Sequence, residues 1–137
     1  MISVTKIFQF EAAHAISGYN GSCREIHGHG YKLHVTVTGT NFNENNILFD
    51  FKDLKKIVES SILKDFDHSL LLKRNTINLS ATKNLVNKIC WIDGEPTAEY
   101  LLSYMVEKIK PLLPQHISLM RLRLYETESC YAEWENR

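Results

Sequence analysis

The sequence predicts an α+β domain: a four-stranded antiparallel sheet with two helices on one face. Both ends of the chain alternate apolar and polar residues in period two, whereas the middle carries two apolar stripes at helical spacing. Turn-rich clusters separate these stretches. The element order is therefore strand, strand, helix, helix, strand, strand.

The first strand places Ile2, Val4, Phe8, Phe10 and Ala12 on one face and Ser3, Thr5, Gln9 and Glu11 on the other, with Ile7 the exception. It delivers His14 on the apolar parity. The loop Ser17-Gly18-Tyr19-Asn20-Gly21-Ser22 follows. A second alternation runs from His27 to about Gly39. Tyr31, Leu33, Val35 and Val37 share a face with His27 and His29, while Lys32, His34, Thr36 and Thr38 face away; His34 reads as a solvated strand residue.

A polar connection spans Asn41 to Asn46. Asp50 suits an N-cap, and Phe51, Leu54, Ile57, Val58 and Ile62 mark a helix at about 51–64. A second helix opens after Pro96-Thr97, carries Ala98, Leu101, Leu102, Met105, Val106 and Ile109, and stops at Pro111. Met120, Leu122 and Leu124 then alternate with Arg121, Arg123 and Tyr125. A turn near Glu128 leads to Cys130, Ala132 and Trp134. The segment 69–96 shows no clear period, although Lys88 to Ile92 fits a short extra strand.

At 137 residues, with 44% hydrophobic and 23% charged, the chain has the size and composition of one soluble domain. Sixteen basic residues balance sixteen acidic ones, which gives no support to nucleic acid or an anionic membrane as partner. No apolar run reaches the length of a membrane span, and no basic-then-apolar leader opens the sequence. Cys23, Cys90 and Cys130 are too few and odd in number for a disulfide framework, so reduced thiols and a cytoplasmic location are expected. Cys90 and Cys130 have apolar neighbours and read as packing residues.

The chemistry concentrates in Cys23-Arg24-Glu25-Ile26-His27-Gly28-His29. Histidines at i and i+2 of a strand project from one face, close enough to share an ion. His14 ends the neighbouring strand on the same parity. Three imidazoles with an open fourth position suit a catalytic Zn²⁺; Cys23 as a fourth ligand would instead close the site and make it structural. Beside a cation the Cys23 thiolate would be stabilised, fit for a base or nucleophile. Asp67-His68 pairs a carboxylate with an imidazole, the equipment of a proton relay. Glu126 continues the Met120, Leu122, Leu124 face, where a buried carboxylate needs donors. Two parallel N–H groups on a pterin or guanine edge would supply them.

Together these residues resemble the family of 6-pyruvoyltetrahydropterin synthase and 6-carboxytetrahydropterin synthase. The resemblance rests on Phe10-Glu11-Ala12-Ala13-His14, the C-x-x-x-H-G-H of Cys23 to His29, Asp67-His68, Pro96-Thr97-Ala98-Glu99 and Glu126-Thr127, in that order. It implies the tunnelling fold, in which three subunits close their sheets into a barrel and two trimers stack into a hexamer. It also implies Zn²⁺ on His14, His27 and His29 and the substrate 7,8-dihydroneopterin triphosphate, with Glu126, Thr97 and Glu99 on the substrate side. Cys23 would be the general base and His68, oriented by Asp67, the proton relay, serving the zinc of a neighbouring chain.

The three-residue gap between Cys23 and His27 resembles the branch that cleaves a carbon–carbon bond to give 6-carboxytetrahydropterin, acetaldehyde and triphosphate, in 7-deazapurine synthesis. A longer gap marks the branch that eliminates triphosphate to give 6-pyruvoyltetrahydropterin. A folate-linked branch carries Glu near the cysteine, and Glu25 keeps its 6-hydroxymethyl product in view. A pterin-binding module with structural zinc is the non-enzymatic alternative. Lys32, Arg24 and Lys73 are candidates for holding the triphosphate.

Overall fold

A computed structural model describes residues 1–17 and 25–137. Strands β1 (Ser3–His14) and β2 (His27–Gly39) pair antiparallel along their whole length, Ser3 opposite Thr38 and His14 opposite His27. The alternation fixes this register, because a one-residue slip would turn every apolar side chain to the wrong face. Phe8, Phe10 and Ala12 of β1 and Tyr31, Leu33, Val35 and Val37 of β2 are buried. Ile7 faces the other side and is 52% exposed, as its parity requires.

β5 (Ile117–Tyr125) pairs antiparallel with the far edge of β2, and β6 (Tyr131–Glu135) with β5. Thr36 lies opposite Arg121 but Val37 lies opposite Leu119, so the β5 strand bulges at Met120. The bulge corrects the expected Met120, Leu122, Leu124 face: Leu119, Leu122 and Leu124 are buried and Met120 is only partly so.

Among the described residues the sheet has six strands rather than four and is mixed rather than antiparallel: β3 (Ser69–Lys73) and β4 (Ile89–Ile92) lie beyond β1, in the order β4-β3-β1-β2-β5-β6. β3 runs parallel to β1 at Ala12–His14, and β4 runs parallel to β3. β4 fills the stretch where a short extra strand fits. β3 is buried through Ser69, Leu70, Leu71 and Leu72, and its three consecutive leucines show no period two to signal it.

The first helix begins as α1 (Phe51–Val58), passes through a π-helical turn at Glu59–Leu63 and ends as α2 (Lys64–Phe66). Asp50 caps it, its carboxylate accepting from Lys52 N at 2.8 Å. Leu54, Val58, Ile62 and Phe66, four residues apart, face the sheet, whereas Phe51 is half exposed. α3 (Thr76–Thr82) is a further short helix, capped by Asn75 and poor in strong helix formers. α4 (Ala98–Ile109) is capped by Thr97 and ends at the turn holding Pro111. Leu101, Leu102, Met105 and Ile109 join one core with the first helix and the inner sheet face. Cys90 is buried there; Cys130 is exposed in the turn before β6, because the chain leaves the sheet between Tyr125 and Tyr131.

Candidate metal centre and active site

The register of the β1–β2 hairpin brings the three histidines together. His14 lies opposite His27, and His29 follows two residues on along the same face. The Nε2 atoms of His14 and His27 are 3.0 Å apart, and those of His14 and His29 are 3.1 Å apart. Among the described residues these three form the one group whose ligand atoms converge on a common point.

The other ring nitrogens decide what those contacts are. His14 Nδ1–H donates to the Pro96 carbonyl at 2.7 Å and His27 Nδ1–H to the Glu25 carbonyl at 2.8 Å. A carbonyl only accepts, so in the neutral rings both Nε2 atoms present lone pairs to each other. Two lone pairs at that distance repel unless a cation stands between them. Tetrahedral zinc with Zn–N near 2.05 Å would hold its nitrogens about 3.3 Å apart, close to the spacing here. The donor set therefore fits a metal ion, and the carbonyls supply the outer hydrogen bonds that hold ligating imidazoles in place.

Electrostatics point the same way. Burial lowers the pKa of His14 and of His29, with Glu126 opposing the shift in both. Neutral imidazoles at pH 7 are the form a metal requires. Glu126 Oε2 lies 4.0 Å from His29 Nε2. Tyr31, fully buried and stacked on Phe10 at 4.9 Å, places its Oη 3.3 Å from His14 Nδ1. Burial and the nearby Glu126 push its phenol pKa well above the ordinary value, so it stays protonated.

Thr97 ties helix and metal site together. Its hydroxyl caps α4 by accepting from Tyr100 N at 3.1 Å, which fixes the chain next to the Pro96 carbonyl. Glu99, Glu126 and Cys130 then share a small groove at the helix start. The Cys130 thiol has a lowered pKa, first through its contact with the Thr127 hydroxyl and then that of Ser129.

No hydrogen bond joins Asp67 or His68 to the triplet among the described residues. The Asp67 carboxylate accepts from Glu11 N at 3.0 Å and contacts His68 Nδ1 at 3.0 Å, and His68 N donates to the Glu11 carbonyl at 2.6 Å. The Glu11 amide, then His68, holds the Asp67 carboxyl below its ordinary pKa. His68 takes a left-handed backbone with φ 60°, uncommon for a side chain other than glycine, and its ring is 76% exposed. It lines a groove with Glu11, Gly28, His29 and Gly30.

The structure thus brings His14, His27, His29 and Glu126 together, sets Thr97 and Glu99 at their border, and places Asp67-His68 on the exposed side of β1. Cys23 and Arg24 lie outside the described residues. The carbonyls of Glu25 and Pro96 and the backbone of Glu11 were not foreseen, since backbone partners leave no side-chain signal. Tyr31 read only as a core residue; its place two residues after His29 on the same parity was the available clue.

Fold and site define a class: a mixed-sheet α+β fold with three histidines, placed so that they could hold a metal ion, at one end of a hairpin. A family model described as 6-pyruvoyl tetrahydropterin synthase matches residues 3–137. The chain belongs to that family. It is 30% identical to the 6-carboxy-5,6,7,8-tetrahydropterin synthase of Rickettsia bellii, over 97% of this chain and 99% of the relative. Among solved structures it resembles an uncharacterized protein of Wolinella succinogenes, with TM-score 0.85 and 17% identity over 99% of this chain and 98% of the other. The Caenorhabditis elegans 6-pyruvoyl tetrahydropterin synthase gives TM-score 0.72 and 22% identity over 99% and 96%. No helix among the described residues is long and apolar enough to cross a membrane.

Proposed function

We propose that this chain is a zinc-dependent 6-carboxy-5,6,7,8-tetrahydropterin synthase, a carbon–carbon lyase that acts on 7,8-dihydroneopterin triphosphate in the cytoplasm. The observation that carries the reading is the convergence of three imidazoles, two of them anchored on carbonyls, beside Glu126, in a chain related over nearly its full length to a protein of that name. His14, His27 and His29 hold the ion, which supplies Lewis-acid stabilisation of negative charge on substrate oxygen.

The remaining work falls to the chain's own groups. Glu126 accepts hydrogen bonds from the amino and N3–H edge of the pterin, a bidentate contact that fixes the ring beside the metal. Glu99 and Thr97 border that position. Cys23 takes a proton from the substrate side chain, and His68 relays protons while Asp67 stabilises its charged form. The Asp67-His68 corner is exposed in one chain and serves the site of a neighbour.

Open strand edges support assembly. Among the described residues β3 covers β1 only at Ala12–His14, leaving Ser3 to Phe10 without a strand partner on that side, and the outer edges of β4 and β6 are also open. Edge-to-edge pairing of three chains closes a barrel, and two barrels stack into the hexamer.

Incubating the zinc-loaded protein with dihydroneopterin triphosphate and resolving products by mass spectrometry tests the reading. Expected are 6-carboxytetrahydropterin, acetaldehyde and triphosphate. A 6-pyruvoyl or 6-hydroxymethyl product, with no acetaldehyde, refutes it.

A further inference from the structure

The stretch between β3 and α4 supplies a cation that the site described above does not use. Lys88 stands just before β4, which runs parallel to β3 with Ile89 opposite Leu70. Its backbone carbonyl accepts from Leu70 N at 3.0 Å. Its Nζ reaches back to donate to the Asp67 carbonyl at 2.6 Å. One residue thus grips the chain on both sides of His68.

The Nζ bond falls on a particular peptide. The Asp67 carbonyl and the His68 N–H belong to one planar trans unit, whose two polar groups point in opposite directions. The N–H donates to the Glu11 carbonyl of β1 at 2.6 Å, and the C=O is taken by Lys88 from the segment leading into β4. The plane from which the His68 side chain departs is therefore tied from two sides. This matters because His68 has a left-handed backbone, φ 60°, which sterics disfavour for a residue with a Cβ. Such a conformation persists only where its surroundings over-determine it. The ring has little support of its own: it is largely exposed, and its contact is with Asp67 Oδ1 at 3.0 Å. Its direction is set by the backbone beneath it and by that carboxylate. Lys88 bears on the carboxylate as well. The Glu11 amide first, then His68, hold the Asp67 carboxyl below its ordinary pKa, and the Lys88 charge adds to them.

We propose that Lys88 is a positioning residue of the Asp67-His68 corner, its ammonium fixing the Asp67–His68 peptide so that the imidazole is presented in one direction. This role rests on the reading of His68 as a proton relay, whereas the hold on the peptide stands on geometry alone. Lys88 is exposed, so its bond adds little to global stability and its effect is local.

The test compares the zinc-loaded full chain with Lys88→Met, Lys88→Arg and Lys83→Met. Backbone hydrogen exchange is followed by NMR, and kcat and KM are measured with dihydroneopterin triphosphate. In Lys88→Met the His68 amide should exchange about tenfold faster, the scale of one lost charge-assisted bond, while the Val35 amide of central β2 keeps its rate. In the same variant kcat should fall about tenfold, with KM within about twofold and zinc content unchanged. Lys88→Arg keeps a cationic donor and should return exchange and kcat to within about threefold of the parent. Lys83→Met, at the end of α3, should change neither. Unchanged His68 exchange in Lys88→Met overturns the inference, and so does an acceleration shared equally by Val35, which marks a general loss of stability. A kcat that holds while His68 exchange quickens overturns it too. If the parent chain does not turn this substrate over, the reaction reading fails, and the exchange rates still decide whether Lys88 holds the peptide.

Discussion

Two regions built on the same strand differ in how finished they are. At the end of β1, His14 is buried, its Nδ1 is bound to a carbonyl and its Nε2 meets two further imidazoles. At Glu11, three residues earlier, β1 anchors Asp67 and His68 by backbone contacts, yet the His68 ring is open to solvent. The first region is complete within one chain. The second holds a rigid backbone and presents its chemistry outward. A catalytic pair shared between chains has this form, and the comparison yields tests of different size.

The largest effect belongs to the metal. His27→Ala removes one ligand and should take zinc from about one per chain to background, with turnover down on the order of a thousandfold or more. Metal analysis beside the product assay checks both. Next is His68→Ala, which should retain zinc and the fold while lowering kcat by about 10² to 10⁴, the range of a general acid–base group. Loss of zinc in that variant would break the distinction between the two regions.

Thr97→Ala is smaller. It removes the cap of α4 and should cost about 1 kcal/mol of stability, read by denaturant unfolding. Because the neighbouring Pro96 carbonyl orients His14, it should also weaken zinc binding, measured by competition with a chelating dye. The smallest effect is on pH. Burial lowers the His14 pKa in the folded chain, so the unfolded chain takes up its proton first as pH falls. Metal-free protein should therefore lose stability as pH drops from about 6.5 toward the lowered value, and His14→Gln should flatten that slope. Melting curves from pH 7.5 to 5 check the sign.

Period two carried most of what was legible in the sequence. It placed His14, His27 and His29 on the core parity, and Glu126 continued the parity of Leu124 into the same site. Asp50 and Thr97 announced the helix starts by residue type alone. What stayed hidden has physical reasons. β3 is buried on both faces, so its leucines do not alternate, and its parallel pairing with β1 and β4 joins segments far apart in sequence. The bulge at Met120 breaks the parity count without any glycine or proline to mark it. The hydrogen bonds that set the His14 and His27 tautomers end on backbone carbonyls, whose positions follow only from the folded chain.

The central claim is a metal centre complete in one chain and a catalytic corner that completes the site of another. Co-expression of His27→Ala and His68→Ala chains tests it most directly, each variant being inactive alone. The account predicts that mixed oligomers recover roughly a quarter of full turnover, since a random mixture joins an intact metal site to an intact His68 in that share of positions. Mixed oligomers as inactive as their parents would contradict it.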